Sequence, residues 1–272
     1  MSERIAPQGL IVGVDGSPSS LAAVRWATRE ARLRDVPLHV VHVATGDEEA
    51  ADLLTEAIEV ARSGEPVEVD GAVIDGDPVT ALADLSRDAQ TVVVGCHGKA
   101  ARLHRQLGSV STGLLRRASC PVAVVHTDSA TSDRSRNRPV LVGIDGSPAS
   151  ETAAEIAFDE ASWRGVDLLA LHVCSDADNP FLNSRPSVQQ ARAEEILEGS
   201  LAGAQKRHPG VAVHRLIRSE YPARQLVVHA ERSQLVVVGG RGRGGSAGMP
   251  LGSVSTAAAR DVRAPVIVAR CG

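Results

Sequence analysis

Two short glycine loops hold the residue types in this chain best suited to chemistry. The first reads Gly95-Cys96-His97-Gly98, then nine residues, then Gly108-Ser109. The second reads Gly239-Gly240-Arg241-Gly242, again nine residues, then Gly252-Ser253. Both close on the same hexapeptide, LGSVST, at 107–112 and 251–256. Glycine lets a backbone approach a phosphate closely and take up positive φ. Ser109 and Ser111, like Ser253 and Ser255, open a stretch that reads as a helix, and the free N–H groups and dipole of a helix N-terminus favour an anion. Serine hydroxyls there can add hydrogen bonds to phosphate oxygens. A single Gly-x-x-Gly is often only a turn, and shared ancestry of a structural loop would also preserve the spacing. The same gap in both loops nevertheless argues for a common task. No Gly-Lys-Ser/Thr follows, which excludes a Walker loop, and Gly108-Ser-Val-Ser lacks the Gly-x-Ser-x-Gly of a nucleophile elbow.

The elements that must position these loops repeat as well. IVGVDGSPS at 11–19 matches LVGIDGSPA at 141–149, and His42-Val43 matches His172-Val173, both at an offset of 130. VVVGCHG at 92–98 matches VVVGGRG at 236–242, and CPVAVVH at 120–126 matches APVIVAR at 264–270, both at an offset of 144. One insertion of 14 residues therefore falls in the second copy, between Val173 and about Val211. The polar run 127–139 separates the copies and has the composition of a linker. We divide the chain into residues 1–128, a linker at 129–138, and residues 139–272.

Each copy reads as alternating strands and helices. In the first, a buried strand over Leu10–Val14 precedes a Gly-Ser-Pro turn, with Ser17 as N-cap and Pro18 at the first helical position; Ser147 and Pro148 repeat this. A small-residue face of Ala22, Ala23, Trp26, Ala27, Glu30 and Ala31 recurs at helical spacing. Strands follow at Leu38–Val43, near Val67–Ile74, at Thr91–Val94 and at Val122–Val125, with helices near Val79–Arg87 and Ser109–Ala118. Near-continuous Val/Ile strands between helices imply a parallel sheet covered on both faces. Ligands of such sheets sit beyond the carboxyl ends of the strands. Asp15 and Asp145 end the first strand of each copy, at that edge, where a carboxylate could hold Mg²⁺ or a ribose hydroxyl.

On these motifs the chain resembles a tandem universal stress protein, and the similarity covers nearly all of both halves. The family's ATP-binding signature is Gly, two residues, Gly, nine residues, Gly, then Ser or Thr, and both copies match it in full. The resemblance implies an α/β fold of two tandem, open-twisted, five-stranded parallel-sheet domains, Rossmann-like and similar to adenine-nucleotide alpha-hydrolases. It also implies one ATP per domain. Carried over, Asp15 and Asp145 approach the ribose and the metal, and Val43 and Val173 flank the adenine. Gly95, Gly98, Gly108, Ser109 and Ser111 take the phosphates in the first copy; Gly239, Gly242, Gly252, Ser253 and Ser255 do so in the second. The implied site also includes Gly13, Val14, Val94, His97 and Val110, with Gly143, Ile144, Val238, Arg241 and Val254 opposite them. The copies differ around this frame. The second has the longer stretch 174–210, which could lie over a nucleotide. The first carries His97, Lys99, Arg102, His104 and Arg105 in its loop, and the second Arg241 and Arg243.

Composition narrows the partners. The net charge of −4 argues against nucleic acid, and aromatics at 2% leave little for stacking on single strands. Residues 1–133 hold 12 Lys/Arg against 19 Asp/Glu, a net −7, and the remainder is +3. No run of 18 apolar residues occurs, so no membrane-spanning helix is expected. Cys96, Cys120, Cys174 and Cys271 fit neither a disulfide framework nor a zinc pattern, which favours free thiols and a cytoplasmic location. His42 and His172 read as strand-end hydrogen-bonding residues, Trp26 as core, Trp163 as partly exposed, Cys120 as a small buried residue, and Cys96 as a minor candidate for redox sensing.

These features favour a nucleotide-dependent stress-response or growth regulator with ATP and Mg²⁺ bound and a regulatory protein partner. A slow ATPase or other nucleotide-processing enzyme is the alternative, but His97 is matched by Arg241, so no common catalytic base appears in both loops. The apolar final strands, Val122–Val125 and Val266–Ala269, are expected to pair the two copies as an internal pseudo-dimer, with a homodimer of whole chains also open.

Overall fold

The computed structural model describes residues 9–44, 46, 49–63, 66–98, 106–127, 137–174, 186–243 and 251–270. The polar run between the copies (except residues 127 and 137–139), the cationic loop segment 99–105 and the proposed cover at 175–185 lie outside the described residues. The chain divides into two compact units, Met1–Thr131 and Ser132–Cys271.

In the first unit the elements are β1 (Leu10–Val14), α1 (Pro18–Arg34), β2 (Leu38–Ala44), α2 (Ala50–Arg62), β3 (Val69–Asp75), α3 (Pro78–Leu85), β4 (Thr91–Gly95), α4 (Ser109–Arg117) and β5 (Val122–Val125). All strand pairs are parallel, in the order β3-β2-β1-β4-β5. The second unit repeats the series with β6 (Val140–Ile144), α5 (Pro148–Arg164), β7 (Leu168–Cys174), α6 (Pro186–Arg207), β8 (Val213–Ser219), α7 (Pro222–Ala230), β9 (Leu235–Gly239), α8 (Ser253–Asp261) and β10 (Val266–Ala269). Its order is β8-β7-β6-β9-β10, again parallel. This is the open α/β fold expected from the sequence. In each unit the strand order reverses at the first strand, and the crevice between its carboxyl end and that of the fourth strand is where such sheets bind ligands.

The Val/Ile runs make these strands because both sheet faces are covered. Leu10, Val12, Val92, Val93, Val122 and Val124 are fully buried, and Val140, Val142, Val236, Val237, Val266 and Val268 repeat them. Trp26 is buried on α1 and Trp163 is 41% exposed. Helix α1 starts where Ser17 caps it, its hydroxyl accepting from Ser20 N–H, with Pro18 in the first turn; Ser147 caps α5 in the same way. Such a cap contributes about 1 kcal/mol. Glu30 is buried on α1 because Arg34, one turn on, pairs with it at 3.7 Å; Glu160 and Arg164 pair likewise on α5. Part of the 14-residue insertion lengthens a helix, since α6 has 22 residues and α2 has 13.

Candidate functional site

Strands β1, β2 and β4 of the first unit deliver their last residues to one crevice. Gly13 stands beside Val94 in the β1–β4 ladder, and Val14 beside His42 in the β1–β2 ladder. Beyond them Asp15 turns its carboxylate back to accept from Ser17 N–H at 3.0 Å. The chain turns here at Gly16, whose φ of +72° favours glycine. His42 Nδ1 donates to the Val14 carbonyl at 2.8 Å, and His172 Nδ1 to Ile144 at 2.8 Å, so both histidines tie the second strand's end to the first.

The loop after β4 is anchored at both ends. The His97 carbonyl accepts from the hydroxyls of Ser17 and Ser19, which lashes the loop to the start of α1. Gly108 N–H donates to the Cys96 carbonyl at 2.8 Å, closing the loop on itself. The second unit repeats this with Ser147 Oγ to the Arg241 carbonyl at 3.3 Å and Gly252 N–H to the Gly240 carbonyl at 2.8 Å.

Close approach requires the glycines at Gly95, Gly98, Gly239 and Gly242. The expected positive φ is not found at Gly95, Gly98, Gly108, Gly239, Gly242 or Gly252. A Cβ on Gly95 would stand 2.7 Å from the Ser19 backbone, and one on Gly239 2.7 Å from Ala149. These two positions let the first helix of each unit sit tightly on the fourth strand. A Cβ on Gly98 would stand 2.8 Å from Asp15 Oδ2, and one on Gly242 would strike Asp145 Oδ2. Gly13 and Gly143 admit Leu82 and Leu226, whose Cδ1 atoms would lie 2.8 and 3.4 Å from an added Cβ.

Helices α1 and α4 begin differently. Gly108, the N-cap of α4, brings no side chain to its first N–H groups, and Gly252 brings none to α8. These helix ends therefore present unsatisfied donors and a positive dipole to the crevice. Ser109 and Ser253 are exposed at that end. Ser111 and Ser255 point inward: their hydroxyls donate to the Gly95 and Gly239 carbonyls at 2.7 and 2.6 Å. Their hydroxyl protons thus brace the strand ends.

Together these elements enclose a cavity of about 340 Å³ in the first unit. It brings together Gly13, Val14, Asp15, Val43, Val94, Gly95, His97, Gly98, Gly108, Ser109, Val110 and Ser111, all twelve of the first copy's expected contact residues. Ser20, Val41, His42, Pro78 and Leu82 complete the wall. Sequence reasoning missed Pro78 and Leu82 as wall residues. Their signal was the Pro at the first turn of the helix after β3, at the same carboxyl edge, with Leu82 one turn on.

The second unit places its expected residues on the corresponding elements. Gly143, Ile144 and Asp145 end and follow β6, and Val173 lies near the end of β7. Val238 and Gly239 end β9, Arg241 and Gly242 follow it, and Gly252, Ser253, Val254 and Ser255 cap and open α8. Asp145 accepts from Ser147 N–H at 3.0 Å, from Ser147 Oγ at 2.6 Å and from Arg243 N–H at 3.1 Å. Burial acts to raise its carboxyl, but the hydrogen bonds from Ser147 and Arg243 outweigh it and hold the group below the usual Asp range.

A metal would have few protein ligands here. Among the described residues no group of three or more His, Cys, Asp or Glu side chains converges as a metal site. Asp15 or Asp145 alone suits Mg²⁺, which commonly takes one or two carboxylates and fills its shell with water and phosphate oxygens. Cys96, within the loop, is 1% exposed, an inert setting for a thiol. Cys120 is also buried. No helix among the described residues is long and apolar enough to cross a membrane.

Residues 8–126 and 136–270 each match the Universal stress protein family. A universal stress protein of Mycobacterium tuberculosis is 44% identical over 297 residues, spanning 99% of either chain. Another from that organism is 42% identical over 293 residues, again 99% of either chain. The crystal structure of a universal stress protein from Archaeoglobus fulgidus is similar with a TM-score of 0.71 at 22% identity, covering 97% of this chain and 98% of that one. At that identity the likeness speaks to the fold alone.

Proposed function

Given that the chain belongs to the universal stress protein family, we propose that it binds ATP with Mg²⁺, one nucleotide per unit, and acts as a nucleotide-dependent regulator. One observation carries this reading. The twelve first-unit residues implied by the family resemblance all line a single cavity, and an uncapped helix N-terminus opens into it. Its volume falls in the range of small-molecule pockets, about 300–1,000 Å³. Val41, Val43, Pro78, Leu82 and Val94 offer an apolar slot for the base. The N–H groups of α4 and the Ser109 hydroxyl suit the phosphates, and Asp15 suits the ribose or the metal. In the second unit Asp145, Gly242 and the start of α8 take these parts. Mg²⁺ would supply charge neutralisation to the phosphates.

Binding is favoured over turnover because the two loops share no general base: His97 faces the first cavity and Arg241 holds its place in the second copy. In this reading ATP is a bound signal read by a cytoplasmic protein partner, and the two copies pair as a pseudo-dimer through β5 and β10. Heat-denaturing the purified chain and chromatographing the released small molecules tests it. Up to two adenine nucleotides per chain are expected. A chain that releases none, and that takes up none from added Mg-ATP by calorimetry, would sink the proposal. Phosphate release near a common enzyme rate, about 10 per second, would favour the enzymatic alternative.

A further inference from the structure

The outermost strand of each unit carries charge of one sign. Among the described residues β3 pairs only with β2, and β8 only with β7, which leaves one edge of each ladder without a strand. The margin built from β3 and α3 exposes Glu68, Asp70, Asp75, Asp77, Asp84 and Asp88, against Arg87, Arg62, which donates to the Val69 carbonyl, and Arg117, which reaches Thr80 beside Asp77. The margin built from β8 and α7 exposes His214, Arg215, Arg218, Arg224 and Arg232, against Glu220 and Glu231. Within the second margin, burial together with the charges of Arg218 and Arg232 lowers the proton affinity of His229, so cationic groups from strand and helix converge there. Both margins also carry exposed apolar side chains: Val73 on β3 at 42%, Tyr221 before α7 at 67% and Val228 on α7 at 52%. These are three of the five large apolar residues the described surface exposes.

A long open strand edge invites another chain, and here the two edges are complementary in charge. We propose that the acidic β3–α3 margin of one chain docks on the basic β8–α7 margin of a second copy, head to tail. Like margins repel, so the contact joins unlike ones. A contact between two different surfaces extends into an open row of copies unless its rotation closes a ring. The association is weak and salt-sensitive, because exposed ion pairs contribute little each and are screened over about 10 Å at 0.1 M salt. It is independent of what the crevice binds. Several partners of this surface have internal duties: Asp70 meets buried His39, and His214 meets Asp167 at 2.8 Å. Glu68, Asp75, Arg215 and Arg218 are the better probes, being exposed and outside the cavity wall.

Sedimentation velocity of the full chain tests the proposal. At about 0.05 M salt the wild type is expected to form species larger than its high-salt form as concentration rises, and to lose them at about 0.5 M salt. The acidic-edge reversal, Glu68→Arg with Asp75→Arg, and the basic-edge reversal, Arg215→Glu with Arg218→Glu, should each abolish that salt-sensitive growth while leaving the circular dichroism unchanged. Mixing the two variants should restore salt-sensitive association, since the intact basic margin of the first can dock on the intact acidic margin of the second. The proposal fails if the wild type shows no salt-sensitive growth, if either reversal associates like the wild type, or if the mixture does not recover. Binding of a short DNA duplex by the basic margin in a chain that does not self-associate would also overturn it, assigning that margin to nucleic acid.

Discussion

Asp15 and Gly98 meet across the crevice between β1 and β4, with only 2.8 Å separating Asp15 Oδ2 from where a Cβ on Gly98 would sit. The residues are far apart in sequence, and Asp145 and Gly242 stand in the same relation. A glycine at this point lets the carboxylate and the phosphate loop share one side of the proposed site.

Gly98→Ala should therefore displace the Asp15 carboxylate and weaken Mg-ATP binding in the first unit alone. A loss of about tenfold, or about 1.4 kcal/mol, is expected. Calorimetric titration should show two classes of site in the variant. The matching Gly242→Ala should move the other class, and unchanged binding in both variants would refute the assignment.

Gly95→Ala tests a different contact. Its Cβ would press on Ser19 backbone at 2.7 Å, which cannot yield as a side-chain tip does. Overpacking of this kind costs about 1–3 kcal/mol, so the melting temperature should drop by several degrees even without nucleotide. Gly98→Ala, which meets a side chain, should melt closer to the wild type.

Asp145 gives a pH prediction with a definite sign. Its folded carboxyl is held below the usual range, first against the raising effect of burial and then by hydrogen bonds from Ser147 and Arg243. A depressed carboxyl stabilises the fold above the unfolded-state value and loses that contribution as pH falls through the folded value. Wild-type stability should thus decline as pH falls below the ordinary Asp range, near 3.8. Asp145→Asn should be less stable at neutral pH and show a shallower acid decline. Parallel melting curves for the two proteins between pH 7 and 3 would contradict this.

Pairing of the last strands, expected from their apolar sequences, is tested by expressing residues 1–128 and 139–272 separately. Each half should self-associate, and the mixture should form a heterodimer detectable by light scattering. Two monodisperse monomers that ignore each other would dismiss the pseudo-dimer.

Much of the fold was legible in the sequence because its signals are local. The Val runs, the Ser-Pro helix starts and the duplicated motifs placed β1, β5, β10 and the start of α1 and α5 at the residues where they occur. The strand ends were harder: β3 runs Val69–Asp75, later than expected at both ends, because an exposed outer strand alternates weakly and its limits follow its ladder with β2.

The site divides in the same way. Spacing marked the loops, strand-end position marked the aspartates, and Ser-Pro turns marked the helix starts, since each of these signals lies within a few residues of one turn. They could not say why each glycine is needed, nor that Ser111 and Ser255 turn inward, nor that Pro78 and Leu82 wall the cavity. Those facts arise where the order β3-β2-β1-β4-β5 brings Ser19 against Gly95, Asp15 against Gly98 and Leu82 against Gly13. Packing across a sheet depends on which strands are neighbours, and residue periodicity carries no record of that order.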